Sequence, residues 1–393
     1  MNEFLMKNVL GEIATMHVGY EINLYHPDIM PQVVNLLHYH WGNNHDNLSY
    51  FTWKYIDNPF TESPLGVVAL HKGEVVGFRG YFATKWQIRE KDYKLTVLCP
   101  GDTCVHPDYR MKGLSVAMGN MAIKEYESKY KIFLNLSAGK NSVPGYFKMG
   151  FVPLSDKTYL TRLTNPLRML RPDNFVPLLD RTYLKSLHRL IKKYILESKT
   201  RSELCEKKIM FGESDDIVVA DSPRPGEMHS VISSQYCDGR RISLLQDERF
   251  FRWRFNNKRN KYIFYYCRKN NITTGYVVMR VSKYNRVGYI IDYAENDTAA
   301  LKNILQYVIQ AKHFDILSIL NCSLNDNFLQ ILKDLHFKKN SLRQKGKRII
   351  KGVWPLLVRP VKKECFEGDW FIEGLDIRKI ENWEIKEICS DAD

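Results

Sequence analysis

The chain has 393 residues and a net charge of +14, from 58 Lys and Arg residues against 44 Asp and Glu residues. Hydrophobic residues make up 44% of it and aromatic residues 12%, a globular composition that excludes an intrinsically disordered chain. The length predicts two or three domains, and the lack of a run of about 18 apolar residues excludes a membrane-spanning helix.

The first elements in chain order predict a sheet with helices packed on it. Residues 20–25 alternate in polarity and predict a strand, and residues 31–41 carry apolar side chains at helical spacing. A second short helix is predicted from Leu48 to Ile56. Two further strands, at 66–70 and 75–81, are joined by a Lys-Gly-Glu turn and predict a hairpin.

The most informative segment follows an apolar run that ends at Val105. It reads Arg110-Met111-Lys112-Gly113-Leu114-Ser115 and leads into a predicted helix. The first N–H groups of a helix have no intrahelical acceptor, and the helix dipole favours an anion there. Gly113 has no Cβ to hold a ligand away, and the two cations add charge-assisted hydrogen bonds of about 1.5–3 kcal/mol each. We therefore predict that this loop binds a pyrophosphate.

A second motif lies about 30 residues downstream of this loop. An apolar run at 132–136 predicts a strand, and Asn141 follows it. The string Tyr146-Phe147-Lys148-Met149-Gly150-Phe151 comes next. Residues from Phe151 to Leu163 are then predicted to close the sheet.

In this order and spacing the two motifs resemble those of the GNAT superfamily, the acetyl-coenzyme A-dependent N-acyltransferases. The family's loop reads Val-x-Pro-x-[Tyr/Phe] and then [Gln/Arg]-x-x-Gly-x-[Gly/Ala], which Val105 to Ser115 follow. Ser115 departs from the usual Gly or Ala, but serine is small and still donates through its N–H. The second signature, Tyr-x-x-x-Gly-Phe, is met by Tyr146 to Phe151.

The resemblance implies a cofactor site and a reaction. The pantetheine arm is expected between splayed fourth and fifth strands, beside the backbone of Thr103, Cys104 and Val105. The six loop residues and Asn141 are expected to complete a site for acetyl-CoA or another acyl-CoA, with no metal. An acceptor amine then attacks the thioester directly. Tyr146 protonates the leaving thiolate, a role for which a tyrosine pKa of about 10 is suitable.

The resemblance leaves the base that deprotonates the amine open. Asp102 on the fourth strand is one candidate, because many relatives keep an acid there. The alternative is an aspartate that only bonds local backbone at the strand end. His106 is a second candidate, and Asp391 or Asp393 is a third, because a C-terminal carboxylate enters the active site in some tandem relatives.

The loop between the first two helices is expected to line the acceptor pocket. The expected contacts are His40, Trp41 and Asn44. A metal site among the nearby histidines is not expected, because positions 38 and 40 point to different sides of a helix.

The second half of the sequence repeats parts of the first. Phe51-Thr52-Trp53-Lys54-Tyr55 is echoed 200 positions later by Phe251-Arg252-Trp253-Arg254-Phe255, and Gly150-Phe151 is echoed by His336-Phe337. Where the copy should have its phosphate loop, residues 292–298 carry three carboxylates and neither glycine nor arginine, which would repel a pyrophosphate. The copy is therefore expected to be structural, or to form one wall of the acceptor cleft.

These repeats predict a mixed α/β fold in a tandem GNAT arrangement. The predicted parts are an intact catalytic copy at 1–164, a basic helical connector at 165–214, and a degenerate copy with a tail at 215–393. The arrangement is similar to N-myristoyltransferases and FemABX aminoacyltransferases. The Phe-x-Trp-Arg-Phe string and the aromatic tail at 370–385 resemble tandem-GNAT proteins of bacterial surface-polysaccharide clusters. We therefore expect the acceptor amine on a nucleotide-linked or lipid-linked sugar.

The charge distribution leaves other functions open. Residues 162–201 contain ten basic and three acidic side chains, and residues 338–363 contain ten basic and no acidic ones. Such patches attract anionic partners, including a membrane surface, or are simply solvated. A helix predicted at 172–198 is either a connector or a membrane-surface helix. The alternatives to the acetyltransferase are a FemABX-like transferase that uses charged tRNA, and a non-catalytic scaffold at the inner membrane face.

The cysteines bear on the cellular compartment. Eight are scattered along the chain without a Cys-x-x-Cys pair, which predicts a reducing environment with neither disulfides nor a zinc site. The N-terminus lacks the apolar region of a secretory signal. A cytoplasmic location is therefore expected. Nucleic acid is not an expected partner, because an intact pyrophosphate loop does not need tRNA, and the sequence leaves the oligomeric state open.

Overall fold

The computed structural model describes most of the chain in two halves. The described residues are 19–139, 141–165, 212–213, 217–235, 239–282, 287–339, 343–344, 347–348 and 355–390. We call residues 19–165 the first half and residues 212–390 the second half. The predicted helix at 172–198 lies outside the described residues, as do Asp391 and Asp393.

The first half contains seven strands and four α-helices among its described residues. Its strands are β1 (Glu21–Leu24), β2 (Leu65–His71), β3 (Glu74–Ile88), β4 (Tyr93–Val105), β5 (Ile132–Asn135), β6 (Val152–Asp156) and β7 (Tyr159–Leu163). Its helices are α1 (Met30–Trp41), α2 (Asn47–Phe51), α3 (Leu114–Tyr126) and α4 (Val143–Lys148). A wider π-helical turn, Thr52–Ile56, continues α2. The predicted strands, hairpin and helices of this half are confirmed.

The second half contains short and long strands around four helices in its described part. The strands are β8 (Gly212–Glu213), β9 (Ile217–Ala220), β10 (Ile242–Leu244), β11 (Lys261–Lys269), β12 (Ile272–Val281), β13 (Val287–Glu295), β14 (Ile316–Leu320), β15 (Lys338–Lys339), β16 (Arg343–Gln344), β17 (Lys347–Arg348), β18 (Pro355–Pro360), β19 (Phe371–Ile372), β20 (Leu375–Asp376) and β21 (Trp383–Glu384). The helices are α5 (Pro225–Ser234), α6 (Glu248–Arg254), α7 (Ala300–Ala311) and α8 (Asp326–Asp334).

Two large mixed sheets organise these elements. The first has the order β1-β2-β3-β4-β5-β18-β6, and β10 extends it by pairing with β3 and β21. The second has the order β15-β7-β14-β13-β12-β11-β9-β8. Each sheet contains one pair of neighbouring parallel strands near its middle. The pair is β4 and β5 in the first sheet and β13 and β14 in the second. The mixed α/β class is confirmed, and the matching strand orders are consistent with a tandem arrangement.

The two halves share strands: β7 of the first half lies in the second sheet, and β18, β10 and β21 of the second half lie in the first. The prediction that Phe151 to Leu163 closes the first sheet is wrong for β7, which pairs with β14 and β15 in the second sheet. The vacant position in the first sheet is filled by β18, whose Val358 pairs with Leu134 of β5 and Val152 of β6. Leu357 and Val358 are fully buried, so β18 suits a central position.

A reciprocal tryptophan pair joins the halves. Trp53 donates from Nε1 to the carbonyl oxygen of Trp253 at 2.8 Å, and Trp253 donates to the carbonyl oxygen of Trp53 at 2.9 Å. Their rings stack with centroids 5.6 Å apart, and both side chains are buried. The repeated sequence string therefore places matching residues against each other at the contact between the halves.

We expect Trp253→Ala to lower the free energy of unfolding by about 3–5 kcal/mol, because it removes a buried ring and leaves the carbonyl oxygen of Trp53 without its donor. Urea unfolding followed by circular dichroism measures this. Trp370→Ala, at a partly exposed tryptophan, is the matched control and should cost less. A loss below about 1 kcal/mol for Trp253→Ala would contradict the role of the pair.

Candidate active site

A cavity of about 790 Å³ lies at the ends of β4 and β5. These strands pair in parallel at Val97 with Ile132 and at Leu98 with Phe133, and in the described strands their pairing stops there. Beyond that point β4 stays paired with β3 as far as Val105, while β5 stays paired with β18. The two strands therefore splay apart, and residues 100–105 of β4 line the opening.

The predicted pyrophosphate loop adopts the local structure that its sequence requires. Gly113 is the N-cap of α3 and has a φ of 75°, in the left-handed region that favours glycine, and Met111 has a φ of 63°. Arg110 donates from Nε to the Val105 carbonyl at 3.0 Å, and Lys112 donates from Nζ to the Tyr20 hydroxyl at 2.9 Å. Arg110 therefore ties the loop to the end of β4, and Lys112 ties it to the residue before β1.

The predicted cofactor residues divide between the cavity wall and the loop beside it. Thr103, Cys104, Val105, Arg110 and Asn141 line the cavity. Met111, Lys112, Gly113, Leu114 and Ser115 are not among the lining residues. The Leu114 side chain is buried in the core and Met111 is fully exposed, and the contact of this loop with a cofactor stays a prediction.

Two groups on β4 bear on what the cleft can hold. The hydroxyl of Thr103 is buried without a hydrogen-bond partner, in a residue that lines the cavity. An unpaired buried hydroxyl costs free energy, so a polar ligand that reached it would stabilise the site. Burial raises the pKa of the Cys104 thiol to about 11, which keeps it protonated at neutral pH.

Asp102 is the centre of a buried polar cluster. Its carboxylate accepts hydrogen bonds from Tyr55 at 2.6 Å and from Trp41 at 2.9 Å. Lys54 lies 2.6 Å away, and His40 Nε2 lies 3.7 Å away. Asp102 has a φ of 46°, a strained conformation of the kind found at functional sites. Gly80 makes the approach possible, because a Cβ there would lie 2.1 Å from the Tyr55 hydroxyl.

The surroundings of Asp102 keep it ionised. Burial raises the pKa of this carboxyl, but the attraction of Lys54 and the hydrogen bonds from Lys54 and Tyr55 outweigh burial and lower the pKa below its usual value. A carboxylate with a low pKa and occupied lone pairs is a weak base. The geometry therefore favours an electrostatic anchor over a proton acceptor.

Lys54 is a site residue that sequence reasoning missed. It lies on the π-helical turn that follows α2, and its side chain is 1% exposed. Such turns often occur at functional sites. The available signal was the repeated string, which places Lys54 and Arg254 at corresponding positions.

Tyr146 lies in the wall of the cavity, on α4. Its side chain is 4% exposed, and its hydroxyl donates to the Pro100 carbonyl of β4 at 3.4 Å. Phe151 of the same motif packs edge-on against its ring, with centroids 4.9 Å apart. The hydroxyl is therefore held at the point where β4 and β5 separate.

Both halves contribute residues to the cavity lining. His40 and Trp41 line it together with Tyr50, while Asn44 lies outside the lining residues and donates to the Trp41 carbonyl. Acceptor binding by these residues stays a prediction. The other candidate base, His106, also lies outside the lining and contacts the Tyr39 hydroxyl at 3.1 Å.

The second half contributes Asn257, Arg259 and Asn260 to the lining of this cavity. The Arg259 guanidinium lies over the ring of Tyr50 at 4.0 Å and pairs with Asp46 at 3.1 Å. Sequence analysis did not identify these three residues, because their position depends on how the halves pack.

The corresponding region of the second sheet is covered by the C-terminal tail. Residues 385–390 are buried. Lys386 pairs with the buried Asp292 at 3.3 Å and donates to the Tyr293 carbonyl at 2.8 Å. Arg254 donates to the Ser390 carbonyl at 3.1 Å. The candidate third base, a carboxylate at 391 or 393, lies outside the described residues.

Two further observations concern metals and membranes. No group of three or more His, Cys, Asp or Glu side chains in the described part of the chain is placed to hold a metal ion. No helix among the described residues is long and apolar enough to cross a membrane. Membrane contact by the basic segments and a cytoplasmic location stay predictions.

Comparison with known proteins gives one family and a set of similar folds. Residues 21–154 match the family described as acetyltransferase (GNAT) domain. No curated protein sequence matches the chain significantly. A probable N-acyltransferase of Enterococcus faecalis V583, a conserved protein of unknown function, has a similar structure with a TM-score of 0.57 at 9% identity, covering 87% of this chain and 72% of that one.

Two GCN5-related N-acetyltransferases have similar structures. The protein of Kribbella flavida has a TM-score of 0.54 at 12% identity, and the superposition covers 87% of this chain and 72% of the Kribbella chain. The protein of Anabaena variabilis ATCC 29413 has a TM-score of 0.50 at 12% identity, and the superposition covers 87% of this chain and 73% of the Anabaena chain. At these identities the likeness extends to the fold alone.

We expect Lys54→Met to lower the free energy of unfolding by about 3–5 kcal/mol at pH 7, because it leaves the Asp102 charge buried without its cation. Asp102→Asn in the same chain should recover part of the loss. Denaturant unfolding of the two single variants and the double variant measures the coupling.

The pH dependence of Lys54→Met provides a second check. In the wild type the folded-state pKa of Asp102 is lowered, so its contribution is present above the unfolded-state pKa and is lost as the pH falls through the folded one. Without Lys54, burial raises the folded-state pKa of Asp102. The loss of unfolding free energy in Lys54→Met relative to the wild type should therefore be smaller near pH 4 than at pH 7. A loss that does not depend on pH would contradict the ion pair.

Proposed function

We propose, from the premise that residues 21–154 are an acetyltransferase (GNAT) domain, that this protein transfers the acetyl group of acetyl-CoA to an amine of an amino sugar. The observation that carries the proposal is that one cavity is lined by the splayed end of β4, by Tyr146 and by an acceptor wall from both halves. Donor and acceptor sites therefore meet at the Tyr146 hydroxyl.

The donor side fits an acyl-CoA. The loop at 110–115 offers the N–H groups of a helix start and two cations to the pyrophosphate. The unpaired hydroxyl of Thr103 and the β4 backbone lie where a pantetheine arm would run. Buried polar groups of this kind position a ligand by hydrogen bonds.

The acceptor side favours a sugar amine. Trp41 and Tyr50 offer ring surface, and Asn257, Arg259 and Asn260 offer amide and guanidinium groups that suit hydroxyls. Deprotonating a lysine-like amine of pKa 10.4 at pH 7 costs about 4.6 kcal/mol, and a sugar amine loses its proton more readily. Asp102 is a weak base, so an acceptor that needs little help suits this site.

The reaction then needs two proton movements. The amine nitrogen attacks the thioester carbonyl, the C–N bond forms and the C–S bond breaks. Tyr146 gives its phenolic proton to the leaving thiolate. The proton lost by the amine passes to His40, which faces Asp102 at 3.7 Å, or to water.

Acetyl-CoA should raise the Tm of the wild-type protein by several degrees, since a ligand at 100 times its Kd stabilises by about 2.7 kcal/mol. Gly113→Glu should abolish the shift, because a carboxylate would face the pyrophosphate. Gly374→Glu is the matched control: Gly374 has a φ of 83° against 75° for Gly113, and it lies outside the predicted pyrophosphate loop. No shift for the wild type at millimolar acetyl-CoA would overturn the proposal.

Asn260→Ala should raise the KM for an amino sugar several-fold and leave the KM for acetyl-CoA unchanged, because Asn260 lies on the acceptor wall. Steady-state assays of CoA release with glucosamine as acceptor measure both constants. Asn256→Ala is the control, since Asn256 is exposed and outside this cavity. Equal effects of the two variants would contradict the assignment of the wall.

A further inference from the structure

A buried arginine lies against the ring of Tyr146. Arg79 is on β3 and is 2% exposed. Its guanidinium carbon is 4.7 Å from the centre of the Tyr146 ring, and its Nη1 donates to the Ser115 carbonyl at 2.9 Å. Arg79 therefore connects the tyrosine with the first turn of α3, which follows the predicted pyrophosphate loop.

Gly119 of α3 makes room for this contact. A Cβ at Gly119 would lie 3.4 Å from Arg79 Nη1 and 2.1 Å from the Met149 sulfur. A glycine inside a helix is unfavourable compared with alanine, so its presence here needs a reason. The reason is the close packing of β3, α3 and the end of α4 around the guanidinium.

No carboxylate among the described residues pairs with Arg79. Its Nε is buried without a hydrogen-bond partner. Burial lowers the pKa of this guanidinium, but Tyr146 and Tyr81 beside it more than compensate, so the pKa is raised. A buried cation is costly unless its surroundings stabilise it. The groups here that can become anions are two phenols, which suits the stabilisation of a phenolate.

The proposed reaction requires such stabilisation. A tyrosine of pKa about 10 must give its proton to the thiolate of a thiol of pKa about 8.5, which is unfavourable. Burial makes the transfer harder, as at Tyr81, where burial raises the pKa far above its usual value although Arg79 opposes the shift. A cation in contact with the ring acts in the opposite direction, because it favours the charged form.

We propose that Arg79 is a positioning residue for acyl transfer, whose guanidinium stabilises the phenolate that Tyr146 becomes when its proton passes to the leaving thiolate. The hydrogen bond from Arg79 to the Ser115 carbonyl holds the guanidinium, and with it the Tyr146 ring, at a fixed position relative to the predicted pyrophosphate loop. The phenolate regains a proton from solvent after the products leave. This inference rests on the proposed function.

Other titratable groups near Tyr146 must be distinguished from it. Tyr81 faces Arg79 from the same strand, and His40, Lys54, Asp102, Cys104 and Arg110 line the cavity. Burial raises the pKa of the Cys104 thiol to about 11, so this thiol also ionises at high pH. Tyr146→Phe assigns the signal, because a signal that disappears in this variant belongs to Tyr146.

The first experiment is independent of turnover. The phenolate absorbance of the full chain is titrated with and without Tyr146→Phe, and the difference gives the ionisation of Tyr146. In Arg79→Met the same difference should move to higher pH by about 1 unit or more. Arg79→Lys should show a smaller shift, since it keeps a cation without the planar guanidinium.

The second experiment follows turnover of acetyl-CoA with glucosamine. Tyr146→Phe should reduce kcat about 100-fold, and Arg79→Met about 10- to 100-fold with little change in KM for acetyl-CoA. The pH above which kcat falls should be higher in Arg79→Met than in the wild type. Arg359→Met is the matched control: Arg359 is also a buried arginine, which contacts the Met149 carbonyl beyond the end of α4, and it should move neither signal.

The outcomes separate the inference from the proposed function. Suppose that Tyr146→Phe lowers kcat but Arg79→Met leaves the pH at which Tyr146 ionises unchanged. That result overturns the role of Arg79 alone. A wild type that neither binds nor turns over acetyl-CoA overturns the proposed function and this inference with it. If Arg79→Met does not fold, the Arg79→Lys shift decides, and its absence overturns the inference.

Discussion

Each half of the chain supplies strands to the sheet of the other half: β7 of the first half lies in the second sheet, and β18, β10 and β21 of the second half lie in the first. β18 lies between β5 and β6, and β7 lies between β14 and β15. Neither sheet is complete without the other half. The reciprocal pair of Trp53 and Trp253 packs where the halves meet, and Asn257, Arg259 and Asn260 line the cavity at β4 and β5. The candidate active site therefore needs both halves, although its sequence motifs lie in the first.

The two sheets carry similar buried charges with different surroundings. In the first, Asp102 pairs with Lys54 beside an open cavity. In the second, Asp292 pairs with Lys386, and the tail that carries this lysine is buried against the sheet. The prediction that the second half binds no cofactor relied on the acidic run at 292–298. The tail supplies a second physical reason, because chain already occupies the space beside β13.

Local patterns in the sequence predicted the local structure well. The helix over 31–41, the hairpin and the turn at Gly113 are confirmed because each depends on residues close together in the chain, and the GNAT resemblance of the first half is confirmed by the family match. The strand exchange was not predicted, because β5 and β18 pair across more than 200 positions and pairing partners leave no local signal. For the same reason Lys54 and Arg259 were missed, since their importance comes from what they contact.

A crystal structure of the protein with acetyl-CoA tests the central claim most directly. The account predicts that the pyrophosphate contacts the backbone of residues 110–115, that the pantetheine lies between β4 and β5, and that the thioester sulfur lies within about 3.5 Å of the Tyr146 hydroxyl. Acetyl-CoA bound elsewhere on the surface, or bound with its sulfur out of reach of Tyr146, would contradict it.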